Sequence, residues 1–194
     1  MRPYLPRAAA PASTPDDIAG RTRFPLPQCM TAIIAISSAV AAAGATPANA
    51  AHDTVAAGDY DAGTIVIHTR ERRLYYYLGD GRALRYPVGV GRAGMQWSGT
   101  SFINGKYISP AWKPPADIRR EKPALPGVVP GGSPRNPMGV AAMTLAGGEY
   151  AIHGTNKPSS IGGFVSHGCI RMYNEDITDL YGRVDYRTPV VVTE

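Results

Sequence analysis

Short runs of apolar and β-branched residues, separated by Gly, Pro, Asn and Asp, recur from residue 64 onward and predict strands. The first is Thr64-Ile65-Val66-Ile67-His68-Thr69 and the second Arg73-Leu74-Tyr75-Tyr76-Tyr77-Leu78, closed by the hairpin-type turn Gly79-Asp80-Gly81. Residues 83–90 and 100–109 read as extended. Residues 140–145 and 150–153 form a second pair across Gly147-Gly148, and residues 188–193 form a terminal strand. One helical pattern stands among them. Asn174 is placed as its N-cap, with Glu175 and Asp176 in the first turn. Ile177, Leu180 and Tyr181 share one face, and Gly182 and Arg183 close it. The pattern predicts a mainly antiparallel β domain with little helix.

Residues 110–137 break this rhythm. They hold eight of the chain's 18 prolines. So long a proline-rich loop within a small domain reads as a lid or binding loop, against the alternative of a stiff surface excursion.

The 194 residues allow one or two domains. Hydrophobic residues at 44% and charged residues at 18% describe a globular chain. The formal net charge of +5 suits an anionic surface or polymer. Arg70, Arg72 and Arg73, and Arg119, Arg120 and Lys122, are the densest basic groups. Neither stands in a nucleic-acid-binding spacing, so no nucleic-acid partner is expected.

Composition shifts near residue 30. Residues 1–29 are rich in Pro, Ala and Arg. An apolar, alanine-rich run follows over residues 30–43, too short to span a bilayer, and then Ala48-Asn49-Ala50. A positive flank, an apolar core and a small-x-small site in that order predict a secretory signal peptide, cleaved after Ala50. The long stretch before the apolar core makes Met30 an alternative start. The division expected is an N-terminal extension and signal peptide over 1–50, a linker over 51–63 and one domain over 64–194, with no transmembrane segment in the mature chain. Cleavage would remove Cys29 and leave Cys169 as the single cysteine. A lone thiol in an oxidising compartment is either buried and inert or reactive.

The reactive groups concentrate in Ile152-His153-Gly154-Thr155 and Ser166-His167-Gly168-Cys169-Ile170-Arg171-Met172. The stretch between them has loop composition and can bring the two together. Thiolate catalysis fits this set. Cys169 would be the nucleophile and His153 the base that takes its proton and returns it to a leaving amine. Backbone N–H groups around Gly168 and Cys169 can form an oxyanion hole. Arg171 can hold a carboxylate in bidentate fashion. Three plainer readings stay open at this point: a buried cysteine acting as a small hydrophobe, a zinc site from His153, His167 and Cys169, and two ordinary loop histidines.

These two blocks, His-Gly upstream and Ser-His-Gly-Cys-x-Arg downstream, resemble the active-site signature of the L,D-transpeptidase (YkuD-type) catalytic domain, in the branch containing the ErfK/YbiS/YcfS/YnhG proteins. Leu74-Tyr75-Tyr76-Tyr77, residues 86–91, Asn136-Pro137-Met138-Gly139 and Asn174-Glu175-Asp176 resemble the surrounding family context. The resemblance implies an L,D-transpeptidase-like β-sandwich, one short helix after the catalytic cysteine and a proline-rich lid loop. It implies a periplasmic enzyme acting on peptidoglycan stem peptides without a cofactor or metal. In that family the cysteine attacks the third stem residue and releases the terminal D-alanine. An amine then resolves the acyl-enzyme, giving a 3–3 cross-link or attaching an envelope protein. Carried over by position, Cys169 is the nucleophile, His153 the base and Gly154 the residue whose carbonyl orients it. Ser166, His167, Gly168 and Arg171 shape the oxyanion and substrate sites. One departure stands out. Many members carry Thr-Pro-x-Gly after the third strand, where this chain has Trp97-Ser98-Gly99 without the proline. An L,D-carboxypeptidase using the same acyl-enzyme, and a peptidoglycan-binding module without turnover, are the competing functions.

Overall fold

The computed structural model describes residues 52–194. The expected signal peptide and its cleavage site lie outside the described residues. The order of elements is β1 (Asp53–Ala56), β2 (Ile65–His68), β3 (Arg73–Gly79), β4 (Arg82–Pro87), β5 (Val90–Gly91), β6 (Gly99–Ile108), α1 (Ala116–Glu121), β7 (Ala141–Leu145), β8 (Ala151–His153), a single 3₁₀ turn (Pro158–Ser160), β9 (Phe164–Ser166), β10 (Ile170–Arg171), α2 (Asn174–Arg183) and β11 (Pro189–Thr193).

Nine strands join in the order β1-β4-β3-β2-β11-β6-β7-β8-β10, and β5 pairs with β9 separately. The long strand β6 belongs to two layers. Its residues 99–102 pair with β11, and its residues 103–108 pair with β7 after a register shift between Ile103 and Gly105. An irregularity of this kind bends a strand, and here it carries the sheet from one layer of the sandwich to the other. Alternation along the strands then fills the space between. Ile65, Ile67, Leu74, Leu84 and Tyr86 from the first layer meet Ile103, Met143, Leu145, Ile152 and Ile170 from the second in one core. Val66, Tyr77 and Ala83 face the opposite side, so β2 is buried on both faces.

Most pairings are antiparallel, as expected from the hairpins. Three are parallel: β2 with β11, β8 with β10, and β5 with β9. Residues 53–56, expected within a linker, form β1, which pairs with β4 through Val55↔Ala83 and its neighbours. The proline-rich segment contains the short helix α1, which its composition hid. Trp112 and Val129 exchange backbone hydrogen bonds of 2.8 Å across the segment. The buried Asn136 side chain donates to the carbonyls of Pro110 and Pro130 at 2.8 and 3.0 Å. The excursion is thus folded on itself, with its two ends tied together by the Asn136 side chain. Among the described residues, no helix is long and apolar enough to cross a membrane.

Helix α2 lays Ile177 and Leu180 on the core, as its pattern predicts. Its start differs from the expectation. Tyr173 occupies the N-cap and Asn174 is the first helical residue, with no side-chain cap. The Asn174 carboxamide turns instead toward the loop after β8. Its Oδ1 accepts from the Thr155 N–H at 3.0 Å and from the Val140 N–H at 3.4 Å. A tertiary bond to a partly buried donor has displaced a local cap.

Candidate active site

The two signature blocks meet because β8 and β10 run side by side. Their parallel register sets Ile170 against Ile152 and Arg171 against His153. Side chains at register partners share a face, and so do those two residues apart on a strand. Cys169, immediately before β10 and two residues from Arg171, therefore lies toward the face that carries His153 and Arg171. Residues 154–169 make the crossover, and reciprocal backbone bonds between Arg171 and Gly89, at 2.8 and 2.9 Å, secure its far end.

His153 is 4% exposed. Its Nδ1 lies 2.6 Å from the Gly154 carbonyl. A carbonyl only accepts, so Nδ1 carries the proton and Nε2 keeps its lone pair. Burial pushes the imidazole pKa down to about 4. The Gly154 and Pro137 carbonyls oppose this fall, and the Arg171 charge adds to it. The ring is thus a neutral base at physiological pH. Gly154 must be small here, because a Cβ would sit 2.3 Å from Asn174 Oδ1. Asn174 thereby holds the turn on which the His153 ring hangs.

Ser166 is buried, and its hydroxyl ties up the loop before β10. It accepts from the Gly168 N–H at 3.1 Å and donates to the Cys169 carbonyl at 2.6 Å. Gly168 stands at φ +115°, where side chains other than hydrogen are strained, and a Cβ there would fall 2.3 Å from Tyr150 Cε1. Its carbonyl accepts from Trp97 Nε1 at 3.0 Å. The Trp97 and Tyr150 rings stack with centroids 4.9 Å apart and planes 9° from parallel. Of the N–H groups expected to line an oxyanion hole, that of Gly168 is spoken for by Ser166. That of Cys169 finds no acceptor among the described residues.

The half-buried Cys169 thiol faces the Glu149 carbonyl at 4.0 Å. Desolvation raises its pKa, the Ala151 N–H and the Arg171 charge pull it back, and Asp117 on α1 raises it further. Thiol and imidazole are therefore both neutral at rest, and the proton must move when a substrate is attacked. No hydrogen bond joins Cys169 to His153 among the described residues; such contacts commonly tighten only on substrate binding. Arg171 is partly buried, its Nε has no hydrogen-bond partner, and no carboxylate pairs with it among the described residues.

His167 has a partner of its own. Its Nε2 lies 3.0 Å from Glu121 at the end of α1, and Glu121 also binds Arg92. The proline-rich segment is thus fastened to the signature loop by one carboxylate. No group of three or more His, Cys, Asp and Glu side chains that could hold a metal ion occurs among the described residues.

Sequence reasoning missed Trp97, Tyr150, Asn174 in its tertiary role, and the Glu121–Arg92 pair. Trp97 alone left a trace, as the departure from the family's turn.

The YkuD family model, the L,D-transpeptidase catalytic domain, matches residues 62–192. The chain belongs to this family. It is 44% identical over 135 residues to "Probable L,D-transpeptidase YbiS" of Escherichia coli K12, covering 65% of this chain and 43% of that protein. It is 41% identical over 139 residues to "Probable L,D-transpeptidase ErfK/SrfK" of the same strain, covering 67% and 44%. The chain thus spans less than half the length of these curated relatives. In fold it resembles the E. faecium L,D-transpeptidase catalytic domain, solved by NMR acylated by ertapenem. The TM-score is 0.53 at 21% identity, over 70% of this chain and all of that one.

Proposed function

We propose that this protein is an exported cysteine L,D-transpeptidase that acts on peptidoglycan tetrapeptide stems through an acyl-enzyme on Cys169. The observation that supports the reading is the parallel register of β8 and β10, which pairs Arg171 with a neutral, Nδ1-protonated His153 and leaves Cys169 just before the same strand. As substrate binds, His153 Nε2 accepts the thiol proton and the sulfur attacks the carbonyl of the third stem residue. The Cys169 N–H donates to the oxyanion, with Ser166 and Gly168 holding its loop. The intermediate collapses by breaking the peptide bond, and the imidazolium returns its proton to the departing D-alanine amine. An acceptor amine then attacks the thioester, His153 takes its proton, and the thiol leaves reprotonated. Arg171, charged and unpaired, suits a carboxylate of the stem peptide. His167, through Glu121, keeps α1 beside this loop. The acceptor is a second stem peptide, giving a 3–3 cross-link, or an amine of an envelope protein.

The division into a signal peptide over 1–50 and a catalytic domain over 64–194 belongs to the same proposal, as does a periplasmic location. N-terminal sequencing of the exported protein tests cleavage after Ala50.

The deciding assay incubates the purified chain with a disaccharide-tetrapeptide and reads products by mass spectrometry. Loss of D-alanine with a cross-linked dimer establishes transpeptidation. Loss of D-alanine giving only tripeptide assigns the hydrolytic alternative or a missing protein acceptor. Binding that survives Cys169→Ala, with no D-alanine released by the wild type, assigns a binding module and overturns the enzyme reading.

A further inference from the structure

Trp97 lies 71 residues before Gly168 in sequence, yet it makes the one side-chain hydrogen bond to the Gly168 carbonyl among the described residues. That carbonyl belongs to the same peptide unit as the Cys169 N–H. A trans peptide is planar, and its C=O and N–H point in opposite directions. Whatever holds the carbonyl therefore aims the N–H. A flat wall braces the arrangement from the side. Tyr150 stacks on Trp97 and closes the space next to Gly168, so that only a glycine hydrogen fits there. Both neighbours of Tyr150 present backbone groups to the Cys169 sulfur, the Glu149 carbonyl at 4.0 Å and the Ala151 N–H.

We propose that Trp97, braced by Tyr150, is a positioning residue for the acylation step: its indole N–H holds the Gly168 carbonyl so that the Cys169 N–H points at the developing oxyanion. The proposal rests on the acyl-enzyme reading above. It concerns stabilisation of a tetrahedral oxyanion and leaves the intrinsic reactivity of the thiol untouched. Two reactions of the same sulfur separate these. Acylation by ertapenem forms a bond from sulfur to the β-lactam carbonyl, breaks the ring C–N bond and leaves the thiol proton on the ring nitrogen, passing through an oxyanion. Alkylation by iodoacetamide displaces iodide at a saturated carbon and needs no oxyanion donor.

Both rates are measured on the full chain by intact-mass spectrometry for the wild type and Trp97→Phe. Trp97→Phe keeps a ring against Tyr150 and loses the N–H. It is expected to slow ertapenem acylation by about 10- to 100-fold, a fraction of the loss seen when an oxyanion donor is removed outright. Iodoacetamide alkylation should stay within about two-fold of wild type, and with tetrapeptide kcat should fall while KM holds. If Trp97→Phe proves poorly folded by thermal melting, Tyr150→Leu, which removes the brace and keeps the indole, should show the same split. Ertapenem acylation at the wild-type rate in a folded Trp97→Phe protein overturns the proposal. So does an equal slowing of both reactions, which would place the effect on the thiol or the fold. A wild-type chain that neither takes up ertapenem nor releases D-alanine overturns the acyl-enzyme reading and this proposal with it.

Discussion

Protonating His153 should cost this protein both activity and stability, and the burial of the ring sets how much. The imidazole is 4% exposed, and its pKa falls from the ordinary 6.5 to about 4. That difference corresponds to ~3 kcal/mol of preference for the neutral ring in the folded state. The sign follows from which state binds the proton first. Between pH 6.5 and 4 the unfolded chain is protonated at this position while the folded chain is not. Stability is therefore lost as pH falls through that window, and the loss is complete below about pH 4. Other groups titrate there too, so the measurement compares wild type with His153→Gln, whose side chain stays neutral throughout. Urea unfolding of both at intervals from about pH 7.5 to 3.5 gives two curves. Their difference isolates the histidine, and the wild-type curve should fall by ~3 kcal/mol more than the variant's. The same shift appears in turnover: the acid limb of kcat/KM should lie near pH 4. Parallel stability curves, or an acid limb between about pH 6 and 7, would refute the picture of a buried neutral base.

Three more outcomes follow from the same geometry. Cys169→Ala should abolish D-alanine release and leave the melting temperature close to wild type, since the half-buried thiol makes no strong contact; residual turnover would remove it as nucleophile. Asn174→Ala should destabilise by ~1–2 kcal/mol in urea, because the Thr155 and Val140 N–H groups lose their acceptor, whereas Asn174→Asp keeps the acceptor and should lose little. Gly168→Ala meets both a positive φ and the Tyr150 ring, and should cost at least ~2 kcal/mol in urea unfolding together with nearly all acylation.

What the chain determines locally was legible in its sequence. Strands such as Ile65–His68 and Arg73–Gly79 follow from short, continuous runs of β-branched and aromatic residues, punctuated by glycine. The apolar face of α2 follows from its helical spacing, and the reactive groups stand within two short blocks. Each of these signals is carried by neighbours in sequence, so one sequence displays it.

The rest depends on partners brought from far away. Asn174 reads as an N-cap until the loop after β8 competes for its carboxamide. Residues 53–56 have the composition of a linker, and only the open edge of β4 makes them a strand. The parallel pairing that joins Arg171 to His153 requires the whole crossover to fold back, and the low pKa of His153 requires a core built around it. Trp97 meets Gly168, and Glu121 meets His167, across 71 and 46 residues. Hydrogen-bond partners and desolvation belong to positions in space. The sequence thus named the candidate reacting groups, and the tertiary structure decided which partners surround each of them and, for His153, which protonation state it favours.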